Sequence, residues 1–451
     1  MTATQSSIPG PGEFARGVHP PDGKHFSKDA AIEVLPTPAQ VAVPLLQHIG
    51  APCTPVTKPR QEVKMGDVLG EAGGFVSAPA HSPIAGVAQM PSVATLPNGR
   101  HVQTVPVKAG EGEQLAGEAL LGEIFGGDWP TSGFEQSPEE IRNAIQAAGI
   151  VGLGGAAFPT HVKLTPQEGK SVDTLLINGC ECEPFLTADH RVMVEFPAPI
   201  ITGAILAARA CGAANIYVAI EDNKPDAIEA MKQAADGSGV TIAAVKTQYP
   251  MGGERQTILA TLDREVPTGG LPLDVGVVVV NVGTAAAIAR AVTRGKPLTH
   301  RVITVSGGGI REPKNILAPI GVSYGELIDF CGGLGDDVGR VVAGGPMMGF
   351  TLGELDVPVT KGTSGVTVLT GDDVRRAGET NCIRCGRCVD VCPLGLVPTR
   401  IALASRAGNW DLAKRYHMSA CCECGCCAYV CPASIPLVQL IRMGKVQAPK
   451  D

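Results

Sequence analysis

The chain has 451 residues, which is enough for about three domains that each bury a core. Its 37 basic and 44 acidic residues give a formal charge of −7, so the sequence offers no basic footprint for nucleic acid. The first residues, MTATQSSIPG, lack the basic and apolar regions of a targeting signal, and no apolar run is a convincing membrane span. We therefore expect a soluble, cytosolic chain that binds no nucleic acid.

The N-terminal third predicts an arm followed by a small β domain. Residues 1–30 are rich in Pro, Gly and charge, which indicates an extended arm that is ordered by docking. In residues 31–130, short β-type runs alternate with turns, and the stretch GDVLGEAGGFVSAPAHSPIAGVA resembles the barrel-sandwich hybrid of biotinyl and lipoyl domains. The hairpin lysine that those domains modify is absent here. We expect a docking module in which His81, at the tip, is a solvated turn residue.

Residues 136–298 alternate between apolar strands and helical segments, which predicts a Rossmann-like, doubly wound parallel sheet. The strands are expected at 173–179, 215–220, 240–246 and 275–281, and the helices near 138–147, 190–210, 224–235, 254–263 and 283–294. Residues 299–370 return to short strands and turns, which indicates a compact, β-grasp-like domain with little catalytic potential.

A glycine-rich turn, GIVGLGGAAFPTHVKL, opens the predicted sheet domain. Gly152, Gly154 and Gly155 would let backbone N–H groups approach a phosphate or a planar ring, and Lys163 could supply a positive charge. A tight turn without a ligand would have the same composition, so the loop alone leaves both interpretations open.

Polar side chains follow the predicted strands. Asn178, Glu181 and Glu183 come directly after the first strand, while Glu254 and Asn281 lie at later strand-to-helix junctions. Ligands of open α/β sheets bind at the carboxyl ends of the strands, so we expect these side chains to converge on one rim. The alternative is that Glu254 and Asn281 only cap helices.

The most specific pattern lies in residues 375–451, where the run C-x2-C-x2-C-x3-C-P occurs twice with an offset of 39 residues. In two-cluster ferredoxins the fourth cysteine of each run binds the other cluster. The spacing therefore predicts two [4Fe-4S] clusters in an α-helical ferredoxin domain. One would be bound by Cys382, Cys385, Cys388 and Cys431, and the other by Cys421, Cys424, Cys427 and Cys392.

The cysteines allow two alternatives. Structural zinc also uses C-x2-C pairs, but it requires neither the C-P ending nor the duplication. Cys422 and Cys426 interrupt the second run, and either could displace a neighbour as ligand, although the register with the first run argues against it.

These parts together imply an electron path. A nicotinamide cofactor gives up two electrons as a hydride, whereas an iron–sulphur cluster accepts one at a time. A flavin can convert between the two, and the glycine-rich loop beside the sheet rim is the part of the sequence suited to bind one.

The motifs support a family resemblance. GLGGAAFPTHVKL and NGCECEPF resemble the flavin-binding segments GRGGAGFPTGLKW and NADESEP of the NADH-oxidising flavoprotein subunit of respiratory complex I. From PPDGK through GGPMMG to the paired cysteine runs, the chain is similar to the C subunits of Rnf (Rsx) ion-translocating electron-transport complexes. Leu153, Cys180 and Gly283 depart from the complex I pattern, which has arginine, aspartate and glutamate there.

The resemblance implies a peripheral subunit on the cytoplasmic side of the bacterial inner membrane. Such a subunit binds FMN and NAD(H) and exchanges electrons with ferredoxin indirectly. It reaches the membrane through partner subunits only. Gly152, Gly154, Gly155, Lys163, Asn178 and Asn281 would bind FMN, and Phe158, Glu183 and Glu254 would meet the dinucleotide. A cobalamin reductase of the propanediol-utilisation type is an alternative, although its domain order differs. A docking subunit that has lost its flavin is another.

Overall fold

The computed structural model describes residues 12–112, 114–374 and 377–449. Predictions that fall on residues 1–11, 113, 375–376 and 450–451 lie outside the described part. Within it the architecture is mixed α/β, and the barrel-sandwich domain, parallel sheet, smaller β domain and helical cysteine-rich domain all follow in the predicted order.

The N-terminal β domain consists of two small antiparallel sheets packed face to face. One has the strand order β2-β9-β7-β4 with β8 on the edge of β9, and the other has the order β3-β5-β6. The strands are β2 (Gln40–Pro44), β3 (Thr54–Pro55), β4 (Glu62–Val63), β5 (Val68–Glu71), β6 (Ala80–His81), β7 (Gly86–Ala88), β8 (Ser92–Thr95) and β9 (His101–Ala109). Alternate residues of β2 and β9 point into the shared core, which confirms the sandwich.

The prediction for His81 is wrong. Its side chain is only 4% exposed, and burial lowers its pKa to about 3. The hairpin tip packs against other domains: the Lys361 ammonium donates to the carbonyls of Pro79 and Gly149, both at 2.6 Å. A solvated tip was expected because sequence alone could not reveal this domain contact.

The central domain is built on a parallel sheet with the strand order β12-β11-β10-β13. Its strands are β10 (Thr174–Asn178), β11 (Asn215–Glu221), β12 (Val240–Val245) and β13 (Val277–Asn281). The helices before and around it are α1 (Gly117–Phe125), α2 (Pro138–Ala147), α3 (Thr160–Lys163), α4 (Ala188–Glu195), α5 (Pro197–Cys211), α6 (Pro225–Ala235), α7 (Glu254–Leu262) and α8 (Val282–Arg294). Gly203 lets α5 approach α8, because a Cβ there would lie 1.7 Å from the Ala285 carbonyl oxygen.

The helix predicted near 190–210 is two helices. Pro197 begins α5, and a proline disfavours helical geometry in the residue that precedes it. Phe196 accordingly adopts φ −136° and ψ 58°, which separates α4 from α5. No single helix of the described chain has the length and apolar character needed to cross a membrane. The pair α4 and α5 meets those two criteria only when counted together, and it is bent by 98°.

The third domain has a six-stranded mixed sheet with the order β1-β15-β14-β18-β16-β17 and one helix, α9 (Tyr324–Phe330). Its strands are β1 (Ile32–Val34), β14 (His300–Ser306), β15 (Lys314–Pro319), β16 (Arg340–Ala343), β17 (Phe350–Thr351) and β18 (Gly365–Leu369). We expected residues 31–130 to form one domain, but β1 leaves the barrel and pairs in parallel with β15.

The cysteine-rich domain is helical, as predicted. It contains α10 (Arg387–Asp390), α11 (Pro398–Arg406), α12 (Trp410–Arg415), α13 (Cys426–Tyr429) and α14 (Leu437–Gln447). The short helices α10 and α13 begin after Gly386 and Gly425, which have φ 82° and 88°. These equivalent glycines preserve the internal duplication, and an apolar core that includes Ile401 and Ile441 joins the two halves.

The described part of the arm, residues 12–30, docks through a buried lysine. The Lys24 ammonium donates to the backbone carbonyls of Glu181 at 2.8 Å, Glu183 at 3.2 Å and Leu186 at 2.6 Å. Gly23 brings the chain close enough, since a Cβ there would lie 2.6 Å from the Phe185 ring. The arm therefore fixes the loop that follows β10, residues 179–187, which we call the β10 loop.

Replacing Lys24 tests this docking. Lys24→Met would leave three carbonyls without their donor, and an unsatisfied buried polar group costs about 1–3 kcal/mol. We expect protease to cleave the arm at least tenfold faster in this variant. Lys28→Met, which changes an exposed lysine of the same arm, is the control. Equal cleavage rates in the two variants would contradict the role of Lys24.

Candidate functional site

Two asparagines define the rim of the parallel sheet. Asn178 ends β10 and Asn281 ends β13, and the two residues are direct partners in the register of these neighbouring strands. The Asn178 amide donates to the Gly252 carbonyl at 2.8 Å, and Asn281 accepts from the N–H groups of Gly283 and Thr284. Asn281 is therefore also a helix cap, as the alternative proposed, and the expected convergence of both strand ends is observed.

The glycine-rich loop lies against this rim. A Cβ on Gly154 would be 3.5 Å from the Asn281 Cβ, while Gly155 has φ 108° and open space around its Cβ position. Residues 154–156 are exposed, whereas Leu153 is buried and its N–H donates to the Thr284 hydroxyl at 2.9 Å. Exposed backbone on an anchored loop, beside two amide side chains, is a cradle that fits a planar, phosphorylated group such as FMN.

The other predicted residues of this loop have protein partners. The Lys163 ammonium forms an ion pair with the Glu254 carboxylate at the start of α7, so two predicted site residues meet each other. Both remain partly exposed. Phe158 is half-buried, and its carbonyl accepts from the Gly152 N–H at 2.8 Å, which closes the base of the loop.

Glu181 is connected to the rim of the sheet through the start of α4. Its carboxylate accepts from the N–H groups of Asp189 at 2.8 Å and His190 at 3.0 Å, at the start of α4. The Asp189 carboxylate in turn accepts from the Asn281 amide at 2.6 Å. Burial, together with the negative charge of Glu181, raises the pKa of Asp189 to about 7, while the buried Arg301 guanidinium opposes the shift.

Glu183 joins three domains. One carboxylate oxygen accepts from the N–H groups of Met347 at 2.7 Å and Met348 at 3.0 Å, in the third domain. The other lies 3.1 Å from the Tyr249 hydroxyl, which donates to the Cys424 carbonyl at 2.6 Å. Burial raises the pKa of Glu183. We call Glu183, Met347, Met348, Tyr249 and Cys424 the three-domain joint.

A second buried lysine stabilises the start of the β10 loop. The Lys224 ammonium donates to the Cys180 carbonyl at 2.7 Å and forms an ion pair with Glu221 at 2.9 Å. Lys224 and Glu221 are each 1% exposed. With Lys24, two buried ammonium groups therefore bind four carbonyls of the loop that carries Glu181 and Glu183.

Seven of the eight predicted cluster ligands are found near other members of their own set. A cavity of the cysteine-rich domain is lined by all four cysteines of the second predicted set, Cys392, Cys421, Cys424 and Cys427. In the other group, Cys388 has Cys385 and Cys431 as charged neighbours. Burial raises the pKa of Cys421 to about 11 and of Cys427 to about 12, so these thiols need a metal to become thiolates at neutral pH. Both groups fit iron–sulphur clusters.

Single-ion chemistry fits these cysteines less well. Across the described ranges, no three His, Cys, Asp or Glu side chains lie close enough to share one metal ion. In a [4Fe-4S] cube each thiolate binds a different iron, so the cysteines stand farther apart than around zinc. Cys422 and Cys426 line the same cavity as the second set, so the structure does not separate them from the predicted ligands by position. The Cys426 sulphur also lies 4.0 Å from the Tyr249 carbonyl oxygen.

Several residues of the site were not identified from the sequence. Lys24, Asp189, Lys224, Tyr249 and Arg301 all act through buried contacts that span more than one element. Only Lys24 had a signal, because it belongs to the PPDGK motif. The others lie in segments whose pattern predicts ordinary helix or strand.

Models of known protein families match the four domains of this chain in order. Family models match the RnfC barrel sandwich hybrid domain at residues 12–111, the Nuo51 FMN-binding domain at 145–290, the SLBB domain at 302–351 and the 4Fe-4S dicluster domain at 381–435. The fold and site therefore define a flavin- and iron–sulphur-type electron-transfer protein.

Relatives that match over most of their length specify the family. The C subunit of the proton-translocating ferredoxin:NAD(+) oxidoreductase complex of Clostridium ljungdahlii is 44% identical, and the match covers 95% of this chain and 92% of the relative. Its counterpart in the Na(+)-translocating complex of Acetobacterium woodii is 42% identical, and the match covers 96% of both chains. The counterpart in the ion-translocating oxidoreductase complex of Rhodobacter capsulatus is 43% identical over 95% of this chain and 82% of the relative. The chain belongs to the RnfC family.

Asp189 predicts a pH dependence. Because its folded-state pKa is raised above the unfolded value, the folded state binds the proton more tightly, and this contribution to stability is lost as pH rises from about 4 to 7. We expect the melting temperature of Asp189→Asn to fall less between pH 5 and pH 8 than that of the wild type. Above pH 7 the wild-type Asp189 is ionised at every pH, so the difference in melting temperature between the variant and the wild type is constant there. The slope of melting temperature against pH between pH 5 and 7 is therefore the diagnostic quantity. An unchanged slope would contradict the raised pKa.

The three-domain joint predicts a local effect of Tyr249→Phe. Removing the hydroxyl leaves the Cys424 carbonyl without its donor, which costs about 1–3 kcal/mol. We expect hydrogen exchange in peptides that contain Met347 and Cys424 to accelerate at least fivefold. Tyr217→Phe is the control, since no hydrogen bond of its hydroxyl is found in the described structure. Acceleration in both variants would indicate general destabilisation.

Proposed function

We propose that this chain is the peripheral subunit of a ferredoxin:NAD+ oxidoreductase complex that couples electron transfer to ion translocation, and that it passes electrons between NAD(H), FMN and two [4Fe-4S] clusters. The observation that carries the proposal is the continuity of the site. The glycine-rich loop lies against Asn281, which is the register partner of Asn178. The β10 loop then leads from Asn178 to Glu183, which contacts Tyr249 and through it Cys424.

The chain's own residues would bind and orient the cofactors. Gly154 and Gly155 would present backbone to FMN, while Gly152, whose N–H donates to the Phe158 carbonyl, would hold the loop in shape. Asn178 and Asn281 would donate or accept hydrogen bonds at the edge of the cofactor. When bound, FMN accepts a hydride from NADH and releases its two electrons singly. Lys163 is paired with Glu254, so we assign the pair to the mouth of the site, where its partial exposure allows contact with phosphate or ribose.

Glu183 and Glu181 would act through the loop that carries them. Three protein groups surround the Glu183 carboxylate, so we propose that its main effect is to fix the β10 loop against the cysteine-rich domain and that Phe158 and Glu254 meet the dinucleotide directly. Cys382, Cys385, Cys388 and Cys431 would bind one cluster, and Cys392, Cys421, Cys424 and Cys427 the other.

Membership of the family supports a proposal for the cellular location. We propose a position on the cytoplasmic side of the bacterial membrane, held there by the other subunits of the complex. NADH is available on that side, and the described chain would reach the membrane through those partners.

An anaerobic titration tests the proposal. The clusters are reconstituted, FMN is added, and NADH is titrated while flavin absorbance and iron–sulphur EPR are followed. Bleaching of the flavin together with growth of the cluster signals is expected. A protein that binds no flavin, or whose flavin stays oxidised, would instead have only the docking role that the sequence left as an alternative.

Glu254 predicts a separation of binding from chemistry. A charged hydrogen bond contributes about 1.5–3 kcal/mol, so Glu254→Gln should raise the KM for NADH about tenfold and change kcat less than twofold. Glu265→Gln alters an exposed carboxylate just beyond α7 and serves as the control. A large fall in kcat with an unchanged KM would contradict the positioning role of Glu254.

A further inference from the structure

The two halves of the duplicated cysteine motif have opposite surroundings. We call residues 381–387 the outer ligand loop and the equivalent residues 420–426 the inner ligand loop. The inner loop is covered at residues 424–426, although Cys422, the equivalent of Ile383, is exposed. A Cβ on Gly425 would lie 2.6 Å from the Met347 carbonyl oxygen, and Tyr249 donates to the Cys424 carbonyl. At the equivalent Gly386 no atom lies within 4 Å of the Cβ position.

The outer loop is exposed except at Cys382, which is half-buried. Ile383 is 68% exposed, and Arg384, Cys385 and Arg387 are exposed as well. A large apolar side chain on the surface is common, but here it lies between two predicted cluster ligands, Cys382 and Cys385. The protein therefore covers one ligand loop with its own domains and leaves the other open.

The charges of the two loops also differ. Glu423 of the inner loop is neutralised by Arg442 at 2.9 Å and Lys445 at 2.7 Å. Its equivalent is Arg384, and neither Arg384 nor Arg387 has a carboxylate partner within the described ranges. Two acidic residues flank the outer loop in sequence, Glu379 and Asp390. Glu379 pairs with Arg406 at 2.6 Å, so Asp390 is the one negative charge that remains to balance the two guanidinium groups.

We propose that the outer ligand loop is the docking surface for an acidic iron–sulphur protein or domain, with Ile383 as its apolar anchor and Arg384 and Arg387 as its charge partners. The inference rests on the proposed function, because electron exchange falls steeply with distance and a partner needs close approach to a cluster. The open, basic loop is the side on which such approach is possible. Redox encounters of this kind bury small areas and depend on electrostatic attraction.

An acidic two-[4Fe-4S] ferredoxin serves as a soluble stand-in for a partner of this chemistry, and its binding to the reconstituted full chain tests the proposal. Calorimetry at low salt gives Kd for the wild type and for Arg384→Glu. We expect the substitution to raise Kd at least tenfold, and the difference to vanish in 1 M salt, where the Debye length is about 3 Å. Arg384 has φ 56° and Glu423 has φ 60°, so the native inner loop already shows that glutamate accepts this backbone conformation.

Two further variants sharpen the result. Arg100→Glu reverses an exposed charge in the turn between β8 and β9 of the barrel and should leave Kd within twofold. Ile383→Ala should raise Kd about three- to tenfold with an unchanged salt dependence, because it removes apolar contact and no charge.

Several outcomes would overturn the proposal. The proposal is wrong if the Arg384→Glu chain binds the ferredoxin as tightly as the wild type does, or if the wild type binds no ferredoxin. It is also wrong if the wild type binds phosphatidylglycerol vesicles through Arg384 and does not bind the ferredoxin. Dithionite-reduced EPR spectra verify that both clusters are intact in every variant. Failure of NADH to bleach the flavin would instead contradict the proposed function, while the Kd comparison would still report on docking.

Discussion

The structure depends on the way the β10 loop is fixed. Two buried ammonium groups, Lys24 from the arm and Lys224 from the start of α6, bind the loop's carbonyl oxygens. A buried carbonyl without a donor costs free energy, and a buried ammonium without acceptors costs more, so each group requires the other. The loop is thereby held in one conformation between the sheet rim and the cysteine-rich domain.

From this constraint the joint between domains follows. With the loop fixed, the Glu183 carboxylate reaches the backbone N–H groups of Met347 and Met348, and Gly345 is required there because a Cβ would lie 2.1 Å from the Glu183 side chain. Tyr249 extends the same set of contacts to Cys424. The GGPMMG motif is thus explained by packing against a carboxylate, and the third domain contributes backbone N–H groups to the three-domain joint.

The same reasoning explains why the ferredoxin domain is asymmetric despite its internal duplication. Its two halves have equivalent glycines and equivalent cysteine spacing, but only the half that follows Ala420 faces the joint. Contact with the rest of the chain covers one ligand loop and leaves the other to solvent. A duplicated domain thereby acquires an inner and an outer face without any change in its ligand pattern.

The sequence by itself determined the elements whose signals are local. Cysteine spacing predicted the helical two-cluster domain, apolar runs predicted the parallel strands, and the strand-end positions of Asn178 and Asn281 predicted their convergence, because parallel strands in register end at one edge. Only the tertiary structure decided which side chains become buried partners. His81 was misjudged, β1 left its expected domain, and Lys24, Tyr249 and Asp189 were overlooked. The physical reason is that burial and hydrogen bonding between residues far apart in sequence have no periodicity, so no local pattern can indicate them.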